Sequence, residues 1–220
     1  MGSLKNIIST LHNSTSRDYL ARMLDAKVEC VQVARRYDSD YWDGDRRYGY
    51  GGYRYDGRWK SVAERLVDTY RLSPDATILD VGCGKGFLLY ELQQLLPTAR
   101  ISGFDISAYA IANSKEEIRD QLFIQRAQDP YPFADQEFDL VISMTTLHNL
   151  HLPDLKLALQ EMERVGREKY LVVEGYRTEQ ELFNLQCWAL TCAAFLSPEE
   201  WIWLFGEFGY SGDYEFIYFQ

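Results

Sequence analysis

The chain has 220 residues, of which 46% are hydrophobic and 25% are charged, and these values are ordinary for a globular protein. That length is enough to bury a core without disulfides or metals, so we expect one domain over residues 1–220. The net charge of −10 argues against a general nucleic-acid binder, which needs a surplus of Lys and Arg. The four cysteines form no CxxC pair and have no histidines at metal-ligand spacing, so no metal site is predicted.

The sequence has no apolar run of about 18 residues and no apolar signal-peptide core at its start, which predicts a cytoplasmic protein that binds no membrane. Its charge is uneven. Residues 1–60 carry 11 Lys and Arg against 8 Asp and Glu, whereas the remainder carries 12 against 25. A locally basic N-terminal part can therefore meet an anionic small molecule.

The first sixty residues alternate between helical and irregular patterns. Apolar residues recur at roughly helical spacing over residues 4–11 and 19–34, and a helix resumes over 61–70. Residues 38–60 are dense in Gly, Tyr, Arg and Asp. Four glycines within nine positions forbid a regular helix there: Gly44, Gly49, Gly51 and Gly52.

From Ala76 onward the pattern alternates between strands and helices. Strands are predicted over residues 77–81, 100–104, 121–125, 138–143, 170–174 and 214–219, and helices over 87–96, 108–121, 153–165, 179–195 and 201–208. This alternation predicts an α/β fold with a doubly wound, mostly parallel sheet. Ligands of such sheets bind at the carboxyl ends of the strands. Functional side chains are therefore expected just after Val81, Phe104, Ser143 and Glu174.

The first of these strands runs into a glycine turn, Gly82-Cys83-Gly84-Lys85-Gly86, and then into a helix. Glycine lets the backbone adopt positive φ and lets a ligand approach without a Cβ in the way, and the helix start offers free N–H groups. Asp105 ends the next strand, 23 residues after Gly82, where a carboxylate can accept hydrogen bonds from both hydroxyls of a ribose. The two features predict an adenosine-type ligand.

Two classes of adenosine-type ligand compete for this turn. Dinucleotides require G-x-G-x-x-G, whereas the spacing here is G-x-G-x-G because Gly86 falls one position early. Asp80, two residues before the first glycine, is unfavourable beside a pyrophosphate and favourable beside an ammonium or sulfonium group. S-adenosylmethionine (SAM) has both of these cationic groups and is the predicted ligand.

Together, these motifs resemble those of the class I SAM-dependent methyltransferases. LDVGCGKG matches the first motif of that family, FDIS its ribose-binding strand end, and YPFADQEFDLVIS the segment that enters its fourth strand. The resemblance covers roughly residues 60–220 and is closest to short bacterial methyltransferases of saccharide and small-metabolite pathways. It implies a Rossmann-like, seven-stranded sheet whose last strand is antiparallel. It also implies SAM as cofactor and S-adenosylhomocysteine (SAH) as product, with residues 61–220 as the SAM-binding core and 1–60 as a helical, Gly-Tyr-Arg-rich lid.

The resemblance further implies which residues contact SAM. Ile106 would pack on the adenine, and Gln128 or Asp129 would meet its amino group, because the acid that the family often places there is replaced or displaced. The residues implied for the methionine and ribose are Asp80 near the ammonium, Gly82 and Gly84 beneath the methionine, and Asp105 at the ribose. The remaining residues predicted to contact SAM are Cys83, Ser143 and Arg58.

Two residues are candidates for the chemistry of methyl transfer. A base is needed only where the acceptor loses a proton. His148, just after the fourth strand, has an imidazole that can take a proton near neutral pH, although it can equally pack the following turn. Glu174 ends the fifth strand and is expected to point toward the same pocket, where it can accept from a hydroxyl or an amine. We predict His148 and Glu174 as catalytic residues.

The Gly/Tyr/Arg-rich segment is predicted to form the lid and the acceptor pocket. Aromatic faces stack on sugars, bases or cations, and Arg binds carboxylates or phosphates. We expect residues 48–59 to cover SAM, with Arg58 or Arg54 paired with a carboxylate; the alternative is a loop that packs against the sheet. The residues predicted to bind the acceptor are Tyr48, Tyr50, Tyr53, Arg54 and Trp59.

The predicted function is methyl transfer from SAM to an oxygen or nitrogen of a small molecule, sugar-related or anionic, by a monomer or homodimer. Nucleic-acid methylation is disfavoured because the chain lacks a [DN]PP[YF] element and a Pro-Cys pair. A non-catalytic SAM-binding or scaffold protein is one alternative, with the apolar residues 188–208 as either a partner surface or a buried helix pair. A nicotinamide-dependent oxidoreductase is the other, and it conflicts with the glycine spacing.

Overall fold

The computed structural model describes residues 2–13, 16–51 and 53–220. Gly52, one of the four glycines of the irregular segment, lies outside these ranges. The strands of the described chain are β1 Thr77–Val81, β2 Arg100–Asp105, β3 Leu122–Ile124, β4 Phe138–Met144, β5 Gly166–Glu174 and β6 Asp213–Ile217. Its α-helices are α1 Ser9–Asn13, α2 Tyr19–Leu24, α3 Lys27–Ala34, α4 Ser39–Trp42, α5 Lys60–Tyr70, α6 Phe87–Leu95, α7 Ala108–Ala112, α8 Leu152–Val165, α9 Glu179–Trp188 and α10 Pro198–Phe208. Short 3-10 helices span Arg46–Tyr48, Glu116–Gln121 and Leu147–Asn149.

The six strands form one sheet in the order β3-β2-β1-β4-β5-β6, and every neighbouring pair is parallel. The order reverses between β1 and β4, which is the doubly wound arrangement that the strand–helix alternation predicts. Every residue of β1 is buried, as is usual for a parallel strand with helices on both faces. The carboxyl ends of all the strands consequently lie at one edge of the sheet.

The prediction of an antiparallel last strand is wrong. β6 pairs parallel with β5, and Ile217 lies opposite Glu174. The chain leaves β5 at the carboxyl edge and returns through α9 and α10, and a helical crossover brings the next strand back in the original direction. Six strands, and not the predicted seven, are found in the described ranges.

A buried carboxylate holds the start of the chain against β6. Glu215 is 1% exposed and accepts hydrogen bonds from the backbone N–H groups of residues 7–9, from the Ser9 hydroxyl and from the Tyr170 hydroxyl. Leu4 forms a parallel bridge with Tyr214 of the same strand. The predicted helix over residues 4–11 therefore begins only at Ser9, because the backbone before it pairs with the sheet.

Two predicted helices before and after β2 are divided. Residues 19–34 form α2 and α3, separated at Ala26, whose φ of +40° is left-handed and interrupts the helical hydrogen bonds. Residues 108–121 form α7 and then a 3-10 helix. In both places the apolar spacing predicted helical conformation correctly but did not predict the break.

The predicted helix over residues 179–195 ends early, at Trp188. Two backbone N–H groups beyond it donate to the hydroxyl of Tyr50, at 2.7 and 3.1 Å, and two more donate to the carbonyl of His148, both at 3.0 Å. These tertiary acceptors replace the helical ones, so the helix does not continue there.

Apolar side chains cover both faces of the sheet. On one face Ile78 packs with α5 and α6, and on the other Leu79 packs with α8 and α10. Neighbouring residues of a strand point to opposite faces, so the continuous apolar run of β1 serves both layers. Burial of one such side chain stabilises the fold by about 1.5–3 kcal/mol. None of the described helices has the length and apolarity needed to cross a membrane.

Candidate active site

A cavity of about 1020 Å³ lies at the carboxyl edge of the sheet. Residues at or just beyond the carboxyl ends of all six strands line it, together with residues from the first sixty. A site for one drug-sized ligand is typically about 300–1,000 Å³, so this cavity has room for two small ligands side by side. We call the part beside Asp80 and Asp105 the β1–β2 end, and the part beside Glu174 and Trp188 the β5–β6 end.

The glycine turn forms the floor of the β1–β2 end. Gly82 and Gly84 have φ values of +80° and +56°, which other residues rarely adopt. A Cβ at Gly82 would overlap Thr146, and a Cβ at Gly84 would lie 2.7 Å from the indole of Trp42. Glycine is therefore required at both positions, and Trp42 of α4 lies directly on the turn. Cys83, between them, also lines the cavity.

Asp105 lies buried at the end of β2 and is held by backbone groups. One carboxylate oxygen accepts from the N–H of Gly84 at 2.9 Å and the other from the N–H of Ser107 at 2.8 Å. A carboxylate offers about four lone-pair sites, so both oxygens can still accept from a ligand hydroxyl. The neighbouring Ile106 is 51% exposed, and Gln128 donates to Asp154 at 3.3 Å; both line the cavity.

Asp80 provides an unsatisfied buried acceptor at the same end. Its Oδ1 atom forms no hydrogen bond within the described ranges. Burial, together with the nearby charge of Asp105, raises the pKa of Asp80 to about 8. Buried polar atoms are normally hydrogen-bonded. A buried carboxylate oxygen without a donor, in the wall of a cavity, points to a ligand that carries a cationic donor.

His148 and Glu174 form a buried pair at the β5–β6 end. Nε2 of His148 lies 3.4 Å from Oε2 of Glu174, and the backbone N–H of Glu174 donates to Nδ1 of His148 at 3.4 Å. Burial lowers the pKa of His148 to about 3, so its ring is neutral at pH 7. Since Nδ1 accepts, we assign the ring hydrogen to Nε2, which faces the Glu174 carboxyl.

The Glu174 carboxyl resembles that of Asp80 in two respects. Burial raises the pKa of Glu174 to about 8, and the charge of Arg17 opposes part of this effect. Its Oε2 forms no hydrogen bond with the residues that the structure describes, although Nε2 of His148 lies 3.4 Å away. Asp80 lies on β1, and Glu174 lies two strands away on β5 and four residues further along the register, which separates their backbones by about 16 Å. One cavity thus joins two unsatisfied carboxylates.

Aromatic and basic residues complete the β5–β6 end. Trp188 closes α9, and the guanidinium carbons of three arginines lie near its ring centroid: Arg22 at 4.7 Å, Arg46 at 5.6 Å and Arg17 at 5.6 Å. Arg17 and Arg46 line the cavity, whereas Arg22 does not. Tyr50 also lines it, with its hydroxyl bonded to the chain just beyond α9.

Three other lid residues that were predicted to contact SAM or the acceptor reach the cavity. Tyr53, Arg58 and Trp59 all line it. The guanidinium of Arg58, however, forms an ion pair with Asp56, two residues earlier, at 2.5 Å. The sequence suggests that Arg58 binds a carboxylate, and the carboxylate it binds is that of Asp56 in the chain itself.

Four residues of the predicted site lie elsewhere. Tyr48 donates its hydroxyl to a glutamate of α3 at 3.2 Å, and Ser143 is fully buried and donates to the last carbonyl of β1 at 2.8 Å. Arg54 and Asp129 are exposed and do not line the cavity, so Gln128 is the one of the two adenine candidates that reaches it.

Several lining residues were not identified from the sequence. Thr146 and Asn149 directly follow β4, so the rule that functional side chains follow strand ends would have found them. The Oδ1 atom of Asn149 is a further buried acceptor without a donor among the described residues. Arg17 and Trp188 are far apart in the chain, and no local spacing connects them.

Comparison with known proteins decides the family. A protein-family model described as a methyltransferase domain matches residues 72–207, which is more than half of the chain. The chain belongs to the class I SAM-dependent methyltransferases. SAM is the cofactor of this methyltransferase family, and the β1–β2 end fits it. The Oδ1 of Asp80 can accept from the ammonium of SAM, and the carboxylate of Asp105 can accept from its ribose hydroxyls.

Curated relatives match part of the chain. It is 31% identical over 126 residues to the mitochondrial arginine-hydroxylase NDUFAF5 of Mus musculus, covering 57% of this methyltransferase chain and 35% of that protein. It is 31% identical over 137 residues to the malonyl-[acyl-carrier protein] O-methyltransferase of Hahella chejuensis, covering 60% and 48%. The chain thus spans less than half the length of both relatives.

A solved structure shows the same fold. The Haloferax volcanii complex between the Trm112 methyltransferase activator and a methyltransferase contains a chain that matches with a TM-score of 0.53 and 22% identity. The match covers 70% of this methyltransferase chain and 73% of that one. At this identity the similarity shows the shared fold.

Proposed function

We propose that this protein is an enzyme that transfers a methyl group from SAM to an oxygen or nitrogen of a small-molecule acceptor. One observation supports this most directly: a single cavity joins the SAM-type residues Asp80 and Asp105 to the unsatisfied carboxyl of Glu174. A methyltransferase needs such continuity, because the donor and the acceptor must touch. The same proposal includes a single domain with a lid of residues 1–60 and a core of residues 61–220. It also includes a cytoplasmic location and a monomeric or homodimeric state.

The β1–β2 end would hold the cofactor. SAM, when bound, supplies a methyl group that is activated by a positively charged sulfur. Asp80 would accept from its ammonium and Asp105 from its ribose, while Ile106 and Gln128 would flank its adenine. Most of the rate enhancement would come from holding the two reactants in contact, which can lower a barrier by about 7–11 kcal/mol.

Glu174 has the properties of a general base at the other end of the cavity. A base works best when its pKa is close to the operating pH, and the pKa of Glu174 is raised to about 8. Ionised Glu174 would take the proton of an acceptor hydroxyl or amine on Oε2. His148 is a poorer base, because its pKa is lowered to about 3 and its Nδ1 already accepts a hydrogen bond. We therefore assign the role of the base to Glu174 and not to His148.

The scaffold alternative, and a hydroxylase function, make different demands on the structure. A scaffold protein would use residues 188–208 as an exposed surface, but Trp201 and Phe205 within them are fully buried, which favours the buried-helix interpretation. Hydroxylation, which the name of the NDUFAF5 relative suggests, would add oxygen and not methyl to a product. Product mass therefore separates hydroxylation from methyl transfer.

Calorimetric titration with SAM, SAH and NAD tests the cofactor site. We expect micromolar binding of SAM and SAH, about −8 kcal/mol, and no binding of NAD. Asp105→Ala should abolish this binding, whereas the control Asp129→Ala changes an exposed acid outside the cavity and should retain it. NAD binding without SAM binding would contradict the proposal and favour the oxidoreductase.

Methyl transfer itself is tested with isotopically labelled SAM and a mixture of small metabolites. We expect the labelled methyl group to appear in at least one small molecule, and Glu174→Gln to reduce this transfer. Products that gain an oxygen atom and no label would instead indicate a hydroxylase. Intact SAM binding without transfer to any metabolite would favour the scaffold.

A further inference from the structure

The β5–β6 end of the cavity combines positive charge with aromatic surface. Trp188 is in contact with three guanidinium groups, and Phe219 lies 5.3 Å from the guanidinium carbon of Arg17. The whole chain has a net charge of −10, whereas the three arginines come from residues 1–60, where Lys and Arg outnumber Asp and Glu by 11 to 8. Such clustering raises the local concentration of anions.

The three arginines have different roles. Arg22 donates to the carbonyl oxygens of Arg46 and Gly49, both at 2.7 Å, and to that of Trp188 at 3.4 Å. These bonds occupy its donors and hold the backbone of the Arg46 segment against α9. Arg22 therefore stabilises the fold, and its hydrogen bond to the Arg46 carbonyl fixes the position of the Arg46 backbone.

Arg17 is oriented by His12. One guanidinium nitrogen lies 3.2 Å from Nδ1 of His12 and donates to the His12 carbonyl at 3.2 Å. Burial lowers the pKa of His12 to about 4, so the neutral ring accepts on Nδ1 and donates from Nε2 to the carbonyl of Tyr218 at 3.1 Å. His12 thereby connects Arg17 to the chain just beyond β6.

Arg46 has no acceptor of its own. Its guanidinium forms no hydrogen bond or ion pair within residues 2–13, 16–51 and 53–220, although it lines the cavity. Glu174 is the acidic residue at this end, and its raised pKa keeps it largely protonated at neutral pH. Asp56, which also lines the cavity, is already paired with Arg58. The cationic charge of this end is thus larger than its anionic charge.

We propose that the methyl acceptor carries an oxyanion, a carboxylate or a phosphate, that binds between Arg17 and Arg46 beside Trp188. Guanidinium groups match the oxygen spacing of both anions, and the faces of Trp188 and Phe219 cover an apolar or sugar-like stem. This inference rests on the proposed function, because it places the nucleophilic group of the same molecule at Glu174. The proton of that hydroxyl or amine goes to Glu174, the new bond joins its oxygen or nitrogen to the methyl carbon, and the carbon–sulfur bond breaks to leave SAH.

Titration of the SAH-bound protein with inorganic phosphate and with malonate tests the anion site. We expect at least one of the two anions to bind the wild type, and Arg46→Gln to raise its Kd by about tenfold, the value of a charge-assisted contact. The matched control is Arg54→Gln, which removes an exposed arginine outside the cavity and should leave the Kd unchanged. Tighter binding of phosphate would indicate a phosphorylated acceptor, and tighter binding of malonate a carboxylate.

The same titrations separate this inference from the cofactor proposal. The anion site is overturned if neither anion binds the wild type, if Arg46→Gln binds both as the wild type does, or if Arg54→Gln weakens binding equally. Retained SAH binding in those cases would leave the cofactor site intact. Conversely, SAH-free protein that binds the anions but never SAH would overturn the cofactor proposal alone. Arg17→Gln should also weaken anion binding, and Arg17→Lys should weaken it less, because the lysine keeps the charge.

Discussion

The indole Nε1 of Trp42 donates a hydrogen bond of 2.8 Å to the hydroxyl oxygen of Ser107. Ser107 lies two residues after Asp105, the last residue of β2. Trp42 is the last residue of α4, within the first sixty residues of the chain. The next residue, Asp43, forms an ion pair with Lys85 of the glycine turn at 2.7 Å. These two contacts hold α4 over the β1–β2 end, so the N-terminal part of the chain covers the SAM-type residues.

Replacement of Trp42 tests whether this cover contributes to cofactor binding. Trp42→Phe keeps a ring on Gly84 but removes the hydrogen bond to Ser107, whose net value is about 1 kcal/mol. We expect SAM to bind about fivefold more weakly by calorimetry. Trp203→Phe is the matched control, because Trp203 is 66% exposed on α10 and outside the cavity. Unchanged or tighter SAM binding in Trp42→Phe would show that α4 does not assist the cofactor.

The raised pKa of Asp80 predicts pH-dependent binding of SAM. Below about pH 8 the ligand-free carboxyl is mostly protonated, and binding of an ammonium group requires the carboxylate, so a proton must be released. We expect the Kd for SAM to fall as pH rises from about 6 to about 8. Calorimetry in two buffers of different ionisation enthalpy measures the proton directly. In Asp80→Asn the release should vanish, and its persistence would assign the proton to another group.

The same shift predicts how stability depends on pH. The folded-state pKa of Asp80 is raised from 3.8 to about 8, so the contribution of this group to stability is fully present below the unfolded value. It is lost as pH rises through the folded value. Between about pH 4 and about pH 8, Tm of the ligand-free wild type should therefore fall relative to Tm of Asp80→Asn. A difference between the two proteins that is constant over this range would contradict the buried, protonated state.

The pair His148–Glu174 predicts the form of the pH–rate profile. With Glu174 as the base, methyl transfer to a hydroxyl should rise with pH and level off above about 8. Glu174→Gln should remove this rise and slow transfer about 100- to 10,000-fold. His148→Gln should keep this rise, because His148 is not the base and forms no hydrogen bond with Oε2 of Glu174. If His148→Gln instead abolishes the rise and Glu174→Gln keeps it, the base is His148.

The hydrogen bonds of Tyr50 predict that its replacement lowers the free energy of unfolding more than replacement of Tyr48 does. The hydroxyl of Tyr50 accepts from the N–H groups of Leu190 and Thr191, so Tyr50→Phe leaves two partly buried donors unsatisfied. We expect a loss of about 1–3 kcal/mol in the free energy of unfolding, measured by urea denaturation. Tyr48→Phe removes one hydrogen bond to an exposed glutamate and should change the free energy by less than about 0.5 kcal/mol. Equal effects would contradict the role assigned to Tyr50.

The cofactor half of the molecule could be predicted well from local sequence. The predicted strand over 77–81 has the same bounds in the structure, and β2 and β4 are each one residue longer than predicted. A continuous apolar run that ends in glycine determines both a buried strand and the turn after it, and covalent connection then places Asp80 beside Gly82. The parallel pairing of β1 with β2 then places Asp105 at the end of the strand next to Asp80.

The acceptor half required the tertiary structure. The parallel direction of β6, the end of α9 at Trp188 and the approach of Arg17 to Trp188 all depend on partners more than a hundred residues away or on the path of a crossover. By itself, the sequence determined conformations and side-chain spacing within single elements, because these depend on neighbours along the chain. Only the folded chain decided which distant side chains share the cavity, because the hydrogen bonds and ring contacts that hold them exist only after packing.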